Sequence, residues 1–268
     1  MTTVVARDLS LRYRSANPDT RSIAVNGVSF DIEPGQVLAV VGETGSGKST
    51  LARAVALEAD TSANDSPVIS GGSLTVLGTS VRDISNRKRD RMGLRVGYLR
   101  QEAGDYLEPR LTVGENVAEP IFLRDRRFDQ DEAGHAVATL IDAVRLPLST
   151  MNLYPHELSK GQRQRVAIAK ALILQPTLLV ADDPTAGIDV MVRSTILDII
   201  ASLQKQHEFS ALIVTADLAE VRRVSTQVAV MHRGIFVGFG ELDGVLDDPR
   251  HPYVKSIARS LDRIQHAG

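Results

Sequence analysis

Gly42, Gly47, Lys48 and Ser49 stand at the spacing G-x-x-x-x-G-K-[ST] within GETGSGKST, residues 42–50. Those residue types suit phosphate. Glycines let a backbone curl until successive N–H groups point at phosphate oxygens, so Glu43, Thr44, Gly45, Ser46 and Thr50 join the candidate set through their main chain. Lys48 brings a positive charge to β- and γ-phosphates, and the Ser49 hydroxyl is a ligand for Mg2+. Further on, the apolar run Leu178-Leu179-Val180-Ala181 ends in Asp182-Asp183. A metal-bound triphosphate needs an acid at the end of a neighbouring buried strand. Asp182 is expected to hold the metal through water, and Asp183 to face the γ-phosphate and polarise the attacking water. Two acids before Pro184 also suit a turn or helix cap, and the loop at 42–50 tips the balance towards the metal. The implied ligand is a nucleoside triphosphate.

The elements around these residues fit that chemistry. Residues 37–41 (VLAVV) are short, β-branched and uninterrupted, as in a buried parallel strand, and residues 49–59 are rich in Ala and Leu, as in a helix. The helix N-terminus adds free N–H groups and partial positive charge. Residues 4–13 and 23–32 alternate at period two and predict antiparallel strands, with a loop at Asn17-Pro18-Asp19 and a turn at Glu33-Pro34-Gly35. Residues 60–67 are a polar loop, and Gly71-Gly72 is a break between short strands at 68–69 and 74–77. The basic stretch 82–91 contains Asp83 and Asp90 and reads as a solvated helical face before a nucleic-acid patch. A strand over 94–99 leads to Gln101. Helices follow at 112–126, 129–144 and 159–174, then a buried strand at 178–181. An amphipathic helix at 190–206, a strand at 211–214, a short helix at 218–224, a hairpin of 228–231 with 235–239, and a helix at 250–262 complete the chain. Strands alternating with helices predict an α/β fold on a mostly parallel sheet, with a helical lobe inserted between its strands.

Composition narrows the classes. The chain of 268 residues is 43% hydrophobic and 24% charged, with a net charge of −2, so no global basic field argues for nucleic acid. The absence of cysteine excludes disulfides, thiolate metal sites and thiol nucleophiles. No apolar run approaches the ~18–20 residues of a membrane span, and the first fifteen residues alternate like a strand rather than a signal peptide. The expectation is a soluble, cytoplasmic chain.

Ahead of the acidic strand lies Leu158-Ser159-Lys160-Gly161-Gln162, followed by RQRVAIAKAL. With it the chain resembles the nucleotide-binding subunits of ATP-binding-cassette (ABC) transporters. LSKGQ is similar to their LSGGQ signature, which contacts the ATP of the partner subunit, with Lys160 replacing a glycine. The resemblance implies that Tyr13 stacks on adenine. It also implies that Gln101 is the Q-loop residue, touching Mg2+ and the membrane subunit, and that Asp189 of Ala186-Gly187-Ile188-Asp189 belongs to the D-loop. The matched motifs run in family order from residue 13 to about 217. The implied fold is a P-loop NTPase, a RecA-like parallel sheet core with an antiparallel β subdomain and an inserted α-helical subdomain. The implied organisation is one nucleotide-binding domain, residues 1–268. Core and β subdomain take 1–103 and 176–240, the helical signature subdomain 104–175, and a C-terminal tail 241–268. TVGENVAEP (112–120), YPHELS (154–159) and DPRHPYVKSIARSL (248–261) resemble the peptide/nickel importer branch, with His156 and His251 structural. That branch implies ATP and Mg2+, two membrane permease subunits, an extracytoplasmic binding protein met indirectly, and a place on the cytoplasmic face of a bacterial membrane.

Two departures from the family pattern bear on activity. Asp183 stands where hydrolysing members usually carry Glu; one methylene fewer withdraws the carboxylate by roughly 1.5 Å, and a base misplaced by about 1 Å can cost on the order of 100-fold in rate. The switch position, usually His in a pattern like ITHD, is Ala216 in Ile213-Val214-Thr215-Ala216-Asp217, and alanine has neither donor nor acceptor. These changes predict a site that binds ATP and hydrolyses it poorly. Such subunits pair head to tail, so the expectation is a heterodimer with a sibling carrying the Glu and His. Lys160 would then lie close to the sibling's γ-phosphate, either disturbing that site or assisting it as a cation. The alternatives are a soluble ATPase accessory of an enzyme complex, such as carbon–phosphorus lyase, and a nucleotide-gated scaffold without hydrolysis. A DNA-repair ATPase would need a coiled-coil insertion or a basic face, and neither is present.

Overall fold

The computed structural model describes residues 1–13, 23–61 and 65–265. The loop expected at Asn17-Pro18-Asp19 and the middle of the polar loop 60–67 lie outside these residues. Strands β1 (Val4–Tyr13) and β2 (Ile23–Ile32) pair antiparallel, as their alternation predicts. Strand β3 (Val37–Val41) leads through the glycine loop into α1 (Lys48–Arg53). The helix expected to run to residue 59 is shorter. After Arg53 it widens into a π-type turn, Ala54–Glu58, in which Leu57 turns left-handed at φ 69°. Arg89 takes the freed carbonyls of Leu57 and Ala59 as acceptors, a contact from outside the segment that local propensity does not contain.

Strand β4 (Pro67–Val76) is continuous, where two short strands were expected around a Gly71-Gly72 break; β5 (Thr79–Ser80) pairs at its end. The glycines form a bulge instead of a break. Gly72 has φ 64°, a Cβ there would strike the carbonyls of Arg7 and Asp8, and the β1–β4 register shifts on either side of Ser10. Helix α2 (Asn86–Gly93) is the polar helix, and β6 (Val96–Leu99) is shorter than the strand expected over 94–99. Helices α3 (Val113–Arg124), α4 (Gln130–Ala143) and α5 (Lys160–Leu172) each start on a side-chain cap, from Thr112, Asp129 and Ser159. There follow β7 (Leu178–Asp182), α6 (Val190–His207), β8 (Ser210–Thr215), α7 (Leu218–Val224), β9 (Gln227–His232) and β10 (Ile235–Glu241). The unforeseen α8 (Leu242–Asp247) precedes α9 (Pro252–Gln265).

Two sheets result, an antiparallel one of order β2-β1-β4-β5 and a six-stranded one of order β10-β9-β3-β8-β7-β6. Every pair of the second is parallel except β10–β9. The parallel strands are covered on both faces, which explains their unbroken apolar sequences. Leu178 and Val180 face a core shared with the antiparallel sheet, whereas Leu179 and Ala181 face a core shared with α3–α6. Strand β3 divides in the same way: Leu38 and Val40 face the antiparallel sheet, and Ala39 and Val41 face a third core with α7, β9, α8 and α9. Among the described residues no helix is long and apolar enough to cross a membrane.

Candidate nucleotide-binding site

The loop after β3 is held from three sides. Gly42 lies so close to the Met231 carbonyl oxygen that a Cβ would collide with it. The Gly234 N–H, in the β9–β10 turn, donates to the Ser46 carbonyl at 2.9 Å, and the Ser46 N–H donates to the Glu43 carbonyl at 3.1 Å. Lys48 is buried, and its Nζ donates to the carbonyls of Gly42 (2.7 Å) and Glu43 (2.8 Å). Burial lowers the Lys48 pKa, against the opposing pull of Asp183, Asp182 and Glu43. Ser46 Oγ is buried and makes no hydrogen bond among the described residues. Tyr13 comes to the same place: its hydroxyl shares a 3.1 Å hydrogen bond with Thr50 Oγ1 on α1.

Across the sheet, the Ser49 hydroxyl donates to Asp182 Oδ1 at 2.9 Å, joining residues 133 positions apart. Asp182 is buried, which raises its carboxyl pKa, while the Ser49 hydrogen bond and the Lys48 charge pull it back. A hydroxyl and a carboxylate side by side are a hard-oxygen set of the kind Mg2+ takes together with phosphate oxygens. The neighbouring Lys48 cation and unpaired Ser46 hydroxyl suit a triphosphate. The residues therefore fit Mg2+ and ATP.

Asp183 shares the Lys48 charge but is held in its own way. Its backbone is left-handed at φ 50°, anchored by its N–H on the Val214 carbonyl at 2.8 Å. Burial, then the charges of Glu220 and Asp182, push its carboxyl up to about 6. Sequence reasoning missed Glu220. It is buried and accepts from Thr185 Oγ1 at 2.8 Å and Thr215 Oγ1 at 2.7 Å, so it clasps the segment after β7 to the end of β8. The available signal was its place on the buried stripe of α7, beside Leu218, Val221 and Val224. Ala216 is exposed and follows β8 directly. Its polar neighbours are engaged elsewhere, Thr215 with Glu220 and Asp217 in capping α7 at the Ala219 N–H. Gln101 lies two residues beyond β6, whose Leu99 pairs with Ala181, so Gln101 and Asp183 leave adjacent strand ends.

The LSKGQ stretch starts α5. Ser159 and Gln162 exchange hydrogen bonds as a capping box, so S-x-x-Q has a local structural role whatever else it does. Leu158 is buried. Lys160 Nζ pairs with Glu102 Oε1 at 2.6 Å and with Asp105 Oδ2 at 3.8 Å, and Glu102 raises its pKa. A Cβ on Gly187 would collide with this ammonium, and one on Gly161 would press on Val192. Gln164, also unforeseen, is buried; it accepts from the Gly104 N–H at 3.0 Å and donates to the Pro184 carbonyl at 2.7 Å. The signature helix is thereby fastened to the segment after Gln101 and to the segment after Asp183. Asp189 caps α6, accepting from the Met191 N–H at 2.9 Å.

A buried parallel strand, a glycine loop closed by a lysine, and a serine set on a second-strand aspartate define a nucleotide-binding P-loop protein. Residues 25–186 match the family model described as ABC transporter. The di/tripeptide transport ATP-binding protein DppF of Pseudomonas aeruginosa (strain UCBPP-PA14) is 36% identical over 268 residues, covering 98% of this chain and 80% of that protein. The oligopeptide transport ATP-binding protein OppD of Bacillus subtilis (strain 168) is 32% identical over 269 residues, covering 98% and 72%. Among solved structures, cbiO1 from Clostridium perfringens, part of the ABC transporter complex cbiONQ, superposes with a TM-score of 0.78 at 25% identity, covering 99% of this chain and 98% of that one. The chain belongs to the ABC transporter family, as an ATPase component.

Proposed function

We propose that this chain is an ATP-binding subunit of a peptide importer, and that its own site binds Mg-ATP but turns it over slowly. The transport names of DppF and OppD support the substrate class and favour an importer over an accessory of a soluble enzyme complex. In this reading the main-chain N–H groups of residues 42–50 and Lys48 bind the phosphates. Ser49 and Asp182, with Gln101, hold Mg2+, which neutralises charge on the β- and γ-oxygens when bound. Tyr13 packs on the base.

The observation that carries the reading is the pairing of Asp183 with Ala216. Asp183 is one methylene shorter than the usual Glu, which withdraws its carboxylate from the attacking water by roughly 1.5 Å. Position 216 brings no donor to the γ-phosphate. The chain accordingly pairs head to tail with a sibling ATPase whose site uses residues 158–162 and the D-loop Asp189 of this chain. Two permease subunits bind the pair at the cytoplasmic face of a bacterial membrane, as a peripheral assembly, and an extracytoplasmic binding protein delivers the peptide. Residues 104–175 serve as the helical signature subdomain and 241–268 as the tail.

The test is Mg-ATP binding and steady-state turnover of the purified chain beside the double variant Asp183→Glu with Ala216→His. The reading expects binding by both and an increase in turnover on the order of 10- to 100-fold in the variant. Equal turnover in the two would show that Asp183 suffices and would remove the basis for an asymmetric pair.

A further inference from the structure

Lys160 departs from the family signature, and its ammonium is engaged inside its own chain. Nζ donates to Glu102 Oε1 at 2.6 Å and lies 3.8 Å from Asp105 Oδ2, and Arg163 Nη2 donates to Asp105 Oδ1 at 3.1 Å. Two cations at the start of α5 thus meet two anions of the segment just after Gln101. Glu102 is the next residue to Gln101, and its backbone is left-handed at φ 52°, a conformation that persists where the surroundings hold it. Both ends of the ion pair rest on Gly187, two residues before Asp189. Its φ is 66°, and a Cβ there would strike the Lys160 Nζ and the Glu102 Oε1 alike. One turn along α5, the buried Gln164 ties the same regions, from the Gly104 N–H to the Pro184 carbonyl. An isolated exposed pair would hold little, whereas a half-buried network of four charges seated on a glycine holds more.

We propose that Lys160 is a positioning residue for the metal side of its own nucleotide site: paired with Glu102 over Gly187, it fixes the left-handed turn at Glu102 and, through it, where Gln101 stands beyond β6. Lys160 itself touches neither ATP nor metal. A glycine at position 160 has no side chain for this task, so the departure from the family pattern adds a contact within the chain. The ammonium held by Glu102 is not offered to the phosphate of a partner subunit. The proposal rests on the reading of Gln101 as a residue at Mg2+, and a Gln101→Ala control separates failure of that reading from failure of this one.

The experiment is ATP titration of the full chain with Mg2+ and again with EDTA, with amide hydrogen exchange of residues 101–106 and 185–189 measured alongside. The chains are wild type, Lys160→Met, Glu102→Gln, the double variant of these two, and Gln101→Ala. Lys160→Met keeps the reach of the side chain and removes its charge, and Glu102→Gln keeps the shape of its partner. Each single variant should weaken binding in Mg2+ about two- to fivefold, the range of a charge pair of this exposure, and leave binding in EDTA within about 1.5-fold. Exchange in both segments should be faster. The double variant should lose no more than either single one, since both remove the same contact. Unchanged binding in Mg2+ for the single variants overturns the proposal, whatever the exchange shows. An equal loss with and without Mg2+ overturns it too, by assigning the pair to general stability, and so do losses that add in the double variant. Wild-type binding in Mg2+ by Gln101→Ala overturns the reading of Gln101 and the proposal with it.

Discussion

On the β3 side of the site, the polar groups converge on one place. Lys48 meets two carbonyls at 2.7 and 2.8 Å, Ser49 meets Asp182 at 2.9 Å, and the β9–β10 turn holds the Ser46 carbonyl. On the ends of β7 and β8, the polar groups are turned on one another. Glu220 takes both threonine hydroxyls, Asp217 caps a helix, and Asp183 stands between like charges, next to a position that is alanine. The first arrangement gathers groups that suit a bound phosphate and metal, and in the second the polar groups are spent largely on packing. Binding a triphosphate needs the first. Activating water and sensing the γ-phosphate need the second as well. In the proposed reading the two tasks use different groups, Lys48, Ser49 and Asp182 for binding and Asp183 with position 216 for turnover, so that one can be lost without the other.

The strongest way to break this contrast is on the binding side. Lys48→Ala should weaken Mg-ATP binding about 10- to 100-fold, the range of hydrogen bonds to a charged group, as read by titration; binding within threefold would mean that the cradle is not organised around the lysine. The Asp183→Glu, Ala216→His variant probes the other side, and its gain in turnover should come with little change in ATP affinity. A smaller effect tests the clasp. Glu220→Ala leaves the Thr185 and Thr215 hydroxyls buried without their acceptor and should cost about 1–3 kcal/mol in denaturant unfolding; a neutral result would show that the clasp is not what orders the segment after Asp183.

The smallest effect concerns charge at Asp183. Burial and the charges of Glu220 and Asp182 put its folded pKa at about 6, above the ordinary carboxylate value of 3.8, so folding favours the protonated form. The resulting cost is absent below about pH 4, develops as pH rises to about 6, and is fully present above that. Asp183→Asn should therefore raise the melting temperature of the nucleotide-free chain at pH 7–8 by about 2–4 °C, for on the order of 1 kcal/mol after allowance for partial exposure. The gain should vanish near pH 4. A gain of equal size at both pH values would assign it to something other than the charge.

The glycine loop, the buried strands and the helix starts are legible from sequence because their causes are local. A run of β-branched residues is apolar because both faces of the sheet are covered. Thr112, Asp129 and Ser159 mark helix starts because the N–H groups they cap are two or three residues away. The departures at Asp183 and Ala216 are equally visible, since they need only a position in a pattern. These features, and with them the class of the fold, the sequence by itself determined.

Only the tertiary structure decided how α1 ends, where Lys160 points and what surrounds Asp183. Arg89 reaches the Leu57 carbonyl from 32 positions away, and Glu102 takes Lys160 from 58. Thr185 meets Glu220 across 35, and Gly71-Gly72 bulges because of Arg7 and Asp8 on the neighbouring strand. Tyr253 meets His232 only because α9 packs into one core with β3 and β9. Each is a contact between chemically ordinary residues, and even where a local signal exists, as for Glu220 on the buried stripe of α7, it does not name the partner. Their partners are supplied by sheet order and helix packing, which bring distant segments together once the chain has collapsed; a local pattern carries no record of that meeting.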